Sequence, residues 1–216
     1  SAGDINGDGY DDVLIGAERY DRYFSDEGRV YLFLGSANGL SSNPDWVAEG
    51  GQAEAYFGSA VSSAGDINGD GYSDVIVGAP GYDSSLSNVG RVYVYFGSEA
   101  GLSTTYDWSA EGNQAEAEFG FSAGDAGDVN GDGYDDVIVG AFYYDNVQTN
   151  EGAAFIYLGG SSGISSAADW TTSGDDVLSA AFGQAVALAG DVNGDGYSDV
   201  IVGAHQFDTG NAAAGK

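Results

Sequence analysis

An all-β fold, a β-propeller of four-stranded antiparallel blades, is what this chain of 216 residues predicts. Three observations carry the prediction. One acidic motif, D-h-N-G-D-G-Y-x-D with h Ile or Val, begins at Asp4, Asp66, Asp128 and Asp191, a period of 62, 62 and 63 residues. A fixed period of that length marks stacked structural repeats. Other landmarks keep the same register: Phe-Gly at 57, 119 and 182, Gly-Ala at 16, 78, 140 and 203, and Asp-Trp at 45, 107 and 169. Each complete repeat also contains four short strand-like segments separated by Gly-rich turns, the pattern of a propeller blade.

The second repeat shows the elements in order. Residues 57–65 alternate or are small and predict a first strand; the acidic loop 66–74 follows. Val75-Ile76-Val77-Gly78-Ala79-Pro80 is apolar throughout, as in a strand covered on both faces. After a polar loop, residues 90–97 predict a third strand, rich in Val and aromatics. Gly101-Leu102 marks a turn, and 106–110 a short fourth strand. The repeats run approximately over 1–56, 57–118, 119–181 and 182–216, within one propeller domain or part of one. The first repeat lacks its first strand and the fourth its last two. The expected strands are therefore three, four, four and two, about three and a half blades.

The Phe-Gly starts, the acidic loops and Gly78-Ala79-Pro80 resemble the FG-GAP repeat, which builds the seven-bladed propeller of integrin alpha subunits and related bacterial surface proteins. Glu18, Phe142 and His205 replace the Pro in the other copies, a departure that bears on the local turn and leaves the blade intact. The resemblance implies an extracellular or cell-surface, non-enzymatic module for adhesion or protein binding. Its partner would be a protein or glycan on a loop rim, formed by the variable loops 18–27, 81–89, 142–151 and 205–214. Ring closure would come from the remainder of a larger propeller or from a second copy. A lectin-like module and an accessory propeller of a polysaccharide-active enzyme are the alternatives.

The loops have the chemistry of a hard cation. Carboxylate and amide oxygens at loop positions 1, 3, 5 and 9, a backbone carbonyl at 7 and Gly at the reversal suit Ca²⁺. The assigned ligands are Asp4, Asn6, Asp8, the Tyr10 carbonyl and Asp12; then Asp66, Asn68, Asp70, Tyr72 and Asp74. The third set is Asp128, Asn130, Asp132, Tyr134 and Asp136, and the fourth Asp191, Asn193, Asp195, Tyr197 and Asp199. About four Ca²⁺ per chain are expected, which the calcium-binding FG-GAP loops support. An EF-hand would need a carboxylate at position 12, where Ile15, Val77, Val139 and Val202 stand, so a helix-loop-helix is rejected.

Composition narrows the function classes. With 34 acidic against 5 basic residues the net charge is −29, which disfavours nucleic acid and anionic membrane surfaces. No apolar run is long enough for a membrane helix, and no Cys can form a disulfide. His205, the single histidine, is assigned to a surface loop, with no repeated partner for catalysis. Trp46, Trp108 and Trp170, being periodic, are assigned to packing between blades rather than to sugar stacking. Arg29 and Arg91 share a register, with Ala153 and Lys216 in the other copies, and are expected to pair with local acids.

Overall fold

The computed structural model describes residues 1–174 and 178–208. Among the described residues, thirteen strands form four antiparallel sheets of three, four, four and two strands. Blade I comprises β1 (Val13–Ala17), β2 (Arg29–Phe33) and β3 (Trp46–Glu49). Blade II holds β4 (Val61–Gly65), β5 (Asp74–Ala79), β6 (Arg91–Tyr95) and β7 (Trp108–Glu111). Blade III holds β8 (Ser122–Gly127), β9 (Asp136–Ala141), β10 (Ala153–Tyr157) and β11 (Trp170–Ser173). Blade IV contributes β12 (Phe182–Gly190) and β13 (Asp199–Ala204). Every sheet is a meander of sequence neighbours. The strands are shorter than the sequence segments because Phe57 belongs to a link between blades: it bridges Gly28 of blade I, as Phe119 bridges Gly90 and Phe182 bridges Gly152.

A register shift precedes each of the last three acidic loops, between Ser63 and Gly65, Asp125 and Gly127, and Leu188 and Gly190. Gly65, Gly127 and Gly190 take φ of 73°, 65° and 74°, so a bulge turns the chain into the loop. The loop then returns directly into the apolar strand, which sets every acidic loop on the same end of its blade.

The core lies between blades, and the apolar strands feed both sides of it. Ile76 and Ile138 point forward to the next blade and are fully buried, whereas Ile201 in the same register is 62% exposed. Val77 and Val139 point back and are fully buried, whereas Ile15 is 48% exposed. The residues are equivalent in sequence. Only the two middle blades have a neighbour on each face among the described residues, and burial follows the neighbour.

The tryptophans behave as assigned where a next blade exists. Trp46 stands edge-on to Tyr95 at 4.9 Å and donates from Nε1 to the Ser103 carbonyl at 2.8 Å. Trp108 repeats this with Tyr157 at 5.2 Å and Ser165 at 3.2 Å. Trp170 lies on the forward face of blade III, opposite the place where β13 is the last described strand, and is exposed.

Candidate metal centre

Each acidic loop closes on itself through its own side chains. In loop I the Asp4 carboxylate accepts from the Asp8 and Gly9 amides at 3.0 and 2.8 Å. Asn6 Oδ1 accepts from Asp8 N at 3.1 Å, and Asp8 Oδ1 from Tyr10 N at 3.0 Å. Asn6 Nδ2 donates to Asp8 Oδ2 at 3.2 Å. Loops II, III and IV repeat the carboxylate–amide pattern with Asp66, Asn68 and Asp70, Asp128, Asn130 and Asp132, and Asp191, Asn193 and Asp195. The structure thus brings positions 1, 3 and 5 together in all four copies.

Position 9 has a role that the sequence did not reveal. Asp12, Asp74 and Asp136 are fully buried. One Asp74 oxygen accepts from Ile67 N at 2.9 Å, and the other from Gly97 N at 2.9 Å, beyond β6. Asp12 does the same with Ile5 and Gly35, and Asp136 with Val129 and Gly159. Among the described residues, Asp199 keeps the local bond alone, to Val192 N. Position 9 therefore ties the loop to the strand turn of its own blade. Among the described residues, no set of three or more acidic or histidine side chains converges as a ready metal cage.

The residues nevertheless fit a hard divalent cation. Every side-chain donor is an oxygen, three of them carboxylates, and each carboxylate oxygen that accepts one amide keeps a further lone pair. The electrostatics agree. Burial pushes the Asp74 carboxyl up to about 7, opposed by its Gly97 and Ile67 amide bonds and reinforced by Asp70 and Asp66. Asp136 rises to about 6, again chiefly from burial, with Asp132 and Asp128 adding to it. A cation offsets both contributions at once.

Neighbouring loops are also laced together, a feature the motif alone does not announce. The Ser73 amide donates to the Asp4 carbonyl at 3.0 Å, and Asp4 N donates back to Ser73 Oγ at 3.2 Å. Asp135 binds Asp66 in both ways, at 3.2 and 2.8 Å, and the Ser198 amide donates to Asp128 at 2.9 Å. The loop tyrosine packs on the preceding loop: a Cβ added to Gly7 would lie 2.8 Å from the Tyr72 ring, and one on Gly69 or Gly131 would lie 2.6 Å from Tyr134 or Tyr197. The variable eighth position and the first Gly of the motif were the signals available in the sequence. Their partners lie one period away.

The anchoring role can be separated from ligation. Asp74→Asn keeps one acceptor oxygen and turns an NH₂ group toward a backbone donor. It is expected to cost about 2–3 kcal/mol in urea unfolding, with most of the loss persisting in excess chelator. Asp11→Asn, exposed in loop I, should change stability by less than about 0.5 kcal/mol. A loss at Asp74 confined to calcium-loaded protein would show that its amide bonds contribute nothing.

The comparisons with known proteins rest on this same pattern. The model of the FG-GAP repeat matches residues 1–33, 57–95, 120–157 and 182–216. The chain belongs to the FG-GAP repeat family. Its FG-GAP repeats are similar to Integrin alpha-4 of Xenopus laevis, 34% identical over 204 residues that cover 93% of this chain and 19% of the relative. Integrin alpha-IIb of Mus musculus is 40% identical over 146 residues, 64% of this chain and 14% of the relative. Integrin alpha-5 of Xenopus laevis is 33% identical over 174 residues, 76% and 16% respectively. The chain thus spans less than a fifth of these curated relatives. Among solved structures, rhamnogalacturonan lyase YesW superposes with a TM-score of 0.57 at 15% identity, covering 92% of this chain and 38% of the other. That likeness shows the propeller fold alone.

The remaining sequence assignments can be placed. Arg29 pairs with Glu49, and Arg91 with Glu111, across the strands. His205 is exposed in the turn after β13, with Nε2 3.0 Å from the Gln206 side-chain amide. Lys216 and the end of the rim loop 205–214 lie outside the described residues. No described helix is long and apolar enough to cross a membrane, which leaves β-barrels unaddressed.

Proposed function

We propose that this chain is a calcium-binding propeller module of an extracellular or cell-surface protein, non-enzymatic, acting in adhesion or protein binding. It is one propeller domain or part of one. The observation that carries the reading is the four-fold repetition of one oxygen-rich loop whose members are hydrogen-bonded to each other across blades. About four Ca²⁺, held by the positions assigned above, would neutralise loops that otherwise repel and fix the blades at one mutual angle. The family relationship to integrin alpha subunits supports a protein partner on the rim opposite the acidic loops, where the variable loops 18–27, 81–89 and 142–151 emerge. The exposed end faces, with Ile15 on one and Ile201 on the other, would be covered by further blades of a larger propeller or by a second copy.

The test of the binding role uses the calcium-loaded chain against immobilised extracellular proteins and against a glycan array, each with Ca²⁺ and with chelator. Saturable, calcium-dependent binding to protein and a blank array support adhesion. A defined glycan signal without protein binding replaces this reading with the lectin-like one.

A further inference from the structure

Asn-Gly pairs begin at residues 6, 38, 68, 130 and 193. Asn38-Gly39 lies in the turn between β2 and β3, and the others belong to the acidic loops. This dipeptide has a chemistry of its own. The glycine nitrogen can attack the asparagine Cγ, because no Cβ on the glycine shields it. The nitrogen gives up its proton, a five-membered imide closes and ammonia leaves. Water then opens the imide at either carbonyl, giving aspartate or isoaspartate, and nothing is oxidised or reduced. The side chain must be free to swing toward the nitrogen, and negative charge builds on the nitrogen as it attacks.

The fold restrains these pairs unequally. In the acidic loops Oδ1 of Asn6, Asn68, Asn130 and Asn193 accepts from the amide at position 5, at 3.1, 2.9, 2.9 and 2.8 Å. Nδ2 of Asn6, Asn68 and Asn130 also donates to the carboxylate there, at 3.2, 3.0 and 3.0 Å. The attacking amides of Gly69, Gly131 and Gly194 donate to the first Asp of their loops at 2.8, 2.6 and 2.7 Å. A carboxylate in that place opposes negative charge on the nitrogen. The rings of Tyr72, Tyr134 and Tyr197 lie over Gly7, Gly69 and Gly131. Asn38, by contrast, is exposed, and the turn's hydrogen bonds use its backbone alone. Gly39 donates to a neutral acceptor, the Ser36 carbonyl, at 2.9 Å. Its φ is 94°, and the space where a Cβ would stand is open.

We infer that Asn38 is a site of spontaneous modification, deamidating through the cyclic imide to aspartate and isoaspartate, and that the fold holds the acidic-loop asparagines out of the same reaction. The inference needs neither a bound cation nor a rim partner. Blades II and III carry Ala100 and Ser162 at this place in the turn, so the site belongs to blade I. Isoaspartate adds a methylene to the backbone just beyond Gly35, whose amide anchors Asp12 of loop I at 2.8 Å. Modification therefore loosens the anchor of that loop.

The experiment incubates the calcium-loaded chain in warm, mildly alkaline buffer and locates conversion by peptide mass spectrometry, with an isoaspartyl methyltransferase to count isoaspartate. The expected result is conversion at Asn38 at least tenfold faster than at Asn6, Asn68, Asn130 or Asn193, with both acids formed. In urea-unfolded chain the rates should converge, since the restraints are gone. Ala100→Asn transplants the site to the exposed blade II turn, where Gly101 donates to the Ser98 carbonyl at 2.7 Å, and should convert like Asn38. Loop asparagines reacting as fast as Asn38 in the folded chain, an inert turn in folded Ala100→Asn, or a preference that persists in urea would each overturn the proposal.

Discussion

Chelating divalent cations from this chain should lower its melting temperature by ten degrees or more, and added Ca²⁺ should restore it. Extracellular calcium modules bind with dissociation constants of about 10⁻⁴–10⁻³ M. At roughly 10 mM Ca²⁺, each site then contributes about 1.4–2.7 kcal/mol by mass action. Four equivalent sites would sum to roughly 6–11 kcal/mol, comparable with the whole stability of an ordinary domain. The spread comes from the affinity, and the direction comes from the charge: the carboxylates at positions 1 and 5 raise the pKa of Asp74 and Asp136 at position 9, and no described basic side chain forms an ion pair with the loop carboxylates. Because Ser73, Asp135 and Ser198 hydrogen-bond to the preceding loops, emptying one site should loosen its neighbour. Calorimetric melts across a calcium series would then show a single steep transition in loaded protein and a broader one in chelator. Mg²⁺ should restore less, since it resists giving up its waters for a flexible oxygen shell. Identical melts in Ca²⁺ and in excess chelator would remove the cation from the account of this fold.

Truncating Trp46 should cost about 3–5 kcal/mol, as large core aromatics do, whereas the same change at Trp170 should cost less than about 1 kcal/mol. The two residues hold the same place in the repeat, after the aspartates at 45 and 169. Trp46 is 8% exposed, packed on Tyr95 and bonded to the Ser103 carbonyl. Its loss leaves a cavity between blades and an orphaned carbonyl. Trp170 is 44% exposed among the described residues. Urea unfolding of Trp46→Ala and Trp170→Ala, side by side, decides the matter. Equal losses would mean that Trp170 is covered in solution, by a further blade or a second copy, and light scattering of the same samples would tell which.

Much of the candidate site was legible because its chemistry is written in residue type. Asp, Asn, Asp and a closing Asp at alternating positions name their own chemistry, and the structure gathers the first three in every loop. The hydrogen bond from Gly97 to Asp74 was not legible, since it joins positions 23 residues apart that no local pattern links. The contacts of Tyr72 with Gly7 and of Ser73 with Asp4 were hidden for the same reason: they cross one full period. Strand limits shifted where Phe57 and Phe119, apolar enough for strand interiors, instead lock onto the preceding blade.

Repetition determined the blade, its strand order and the oxygen-rich loops from the sequence alone, because each is a short-range property rewritten every 62 or 63 residues. The tertiary structure decided what identical residues experience. Ile76 is sealed and Ile201 is open, and Trp46 is a wedge where Trp170 is a surface ring. The physical reason is that a blade face is buried only by the blade beside it, and which blade stands there is a fact about the stack, absent from any single repeat.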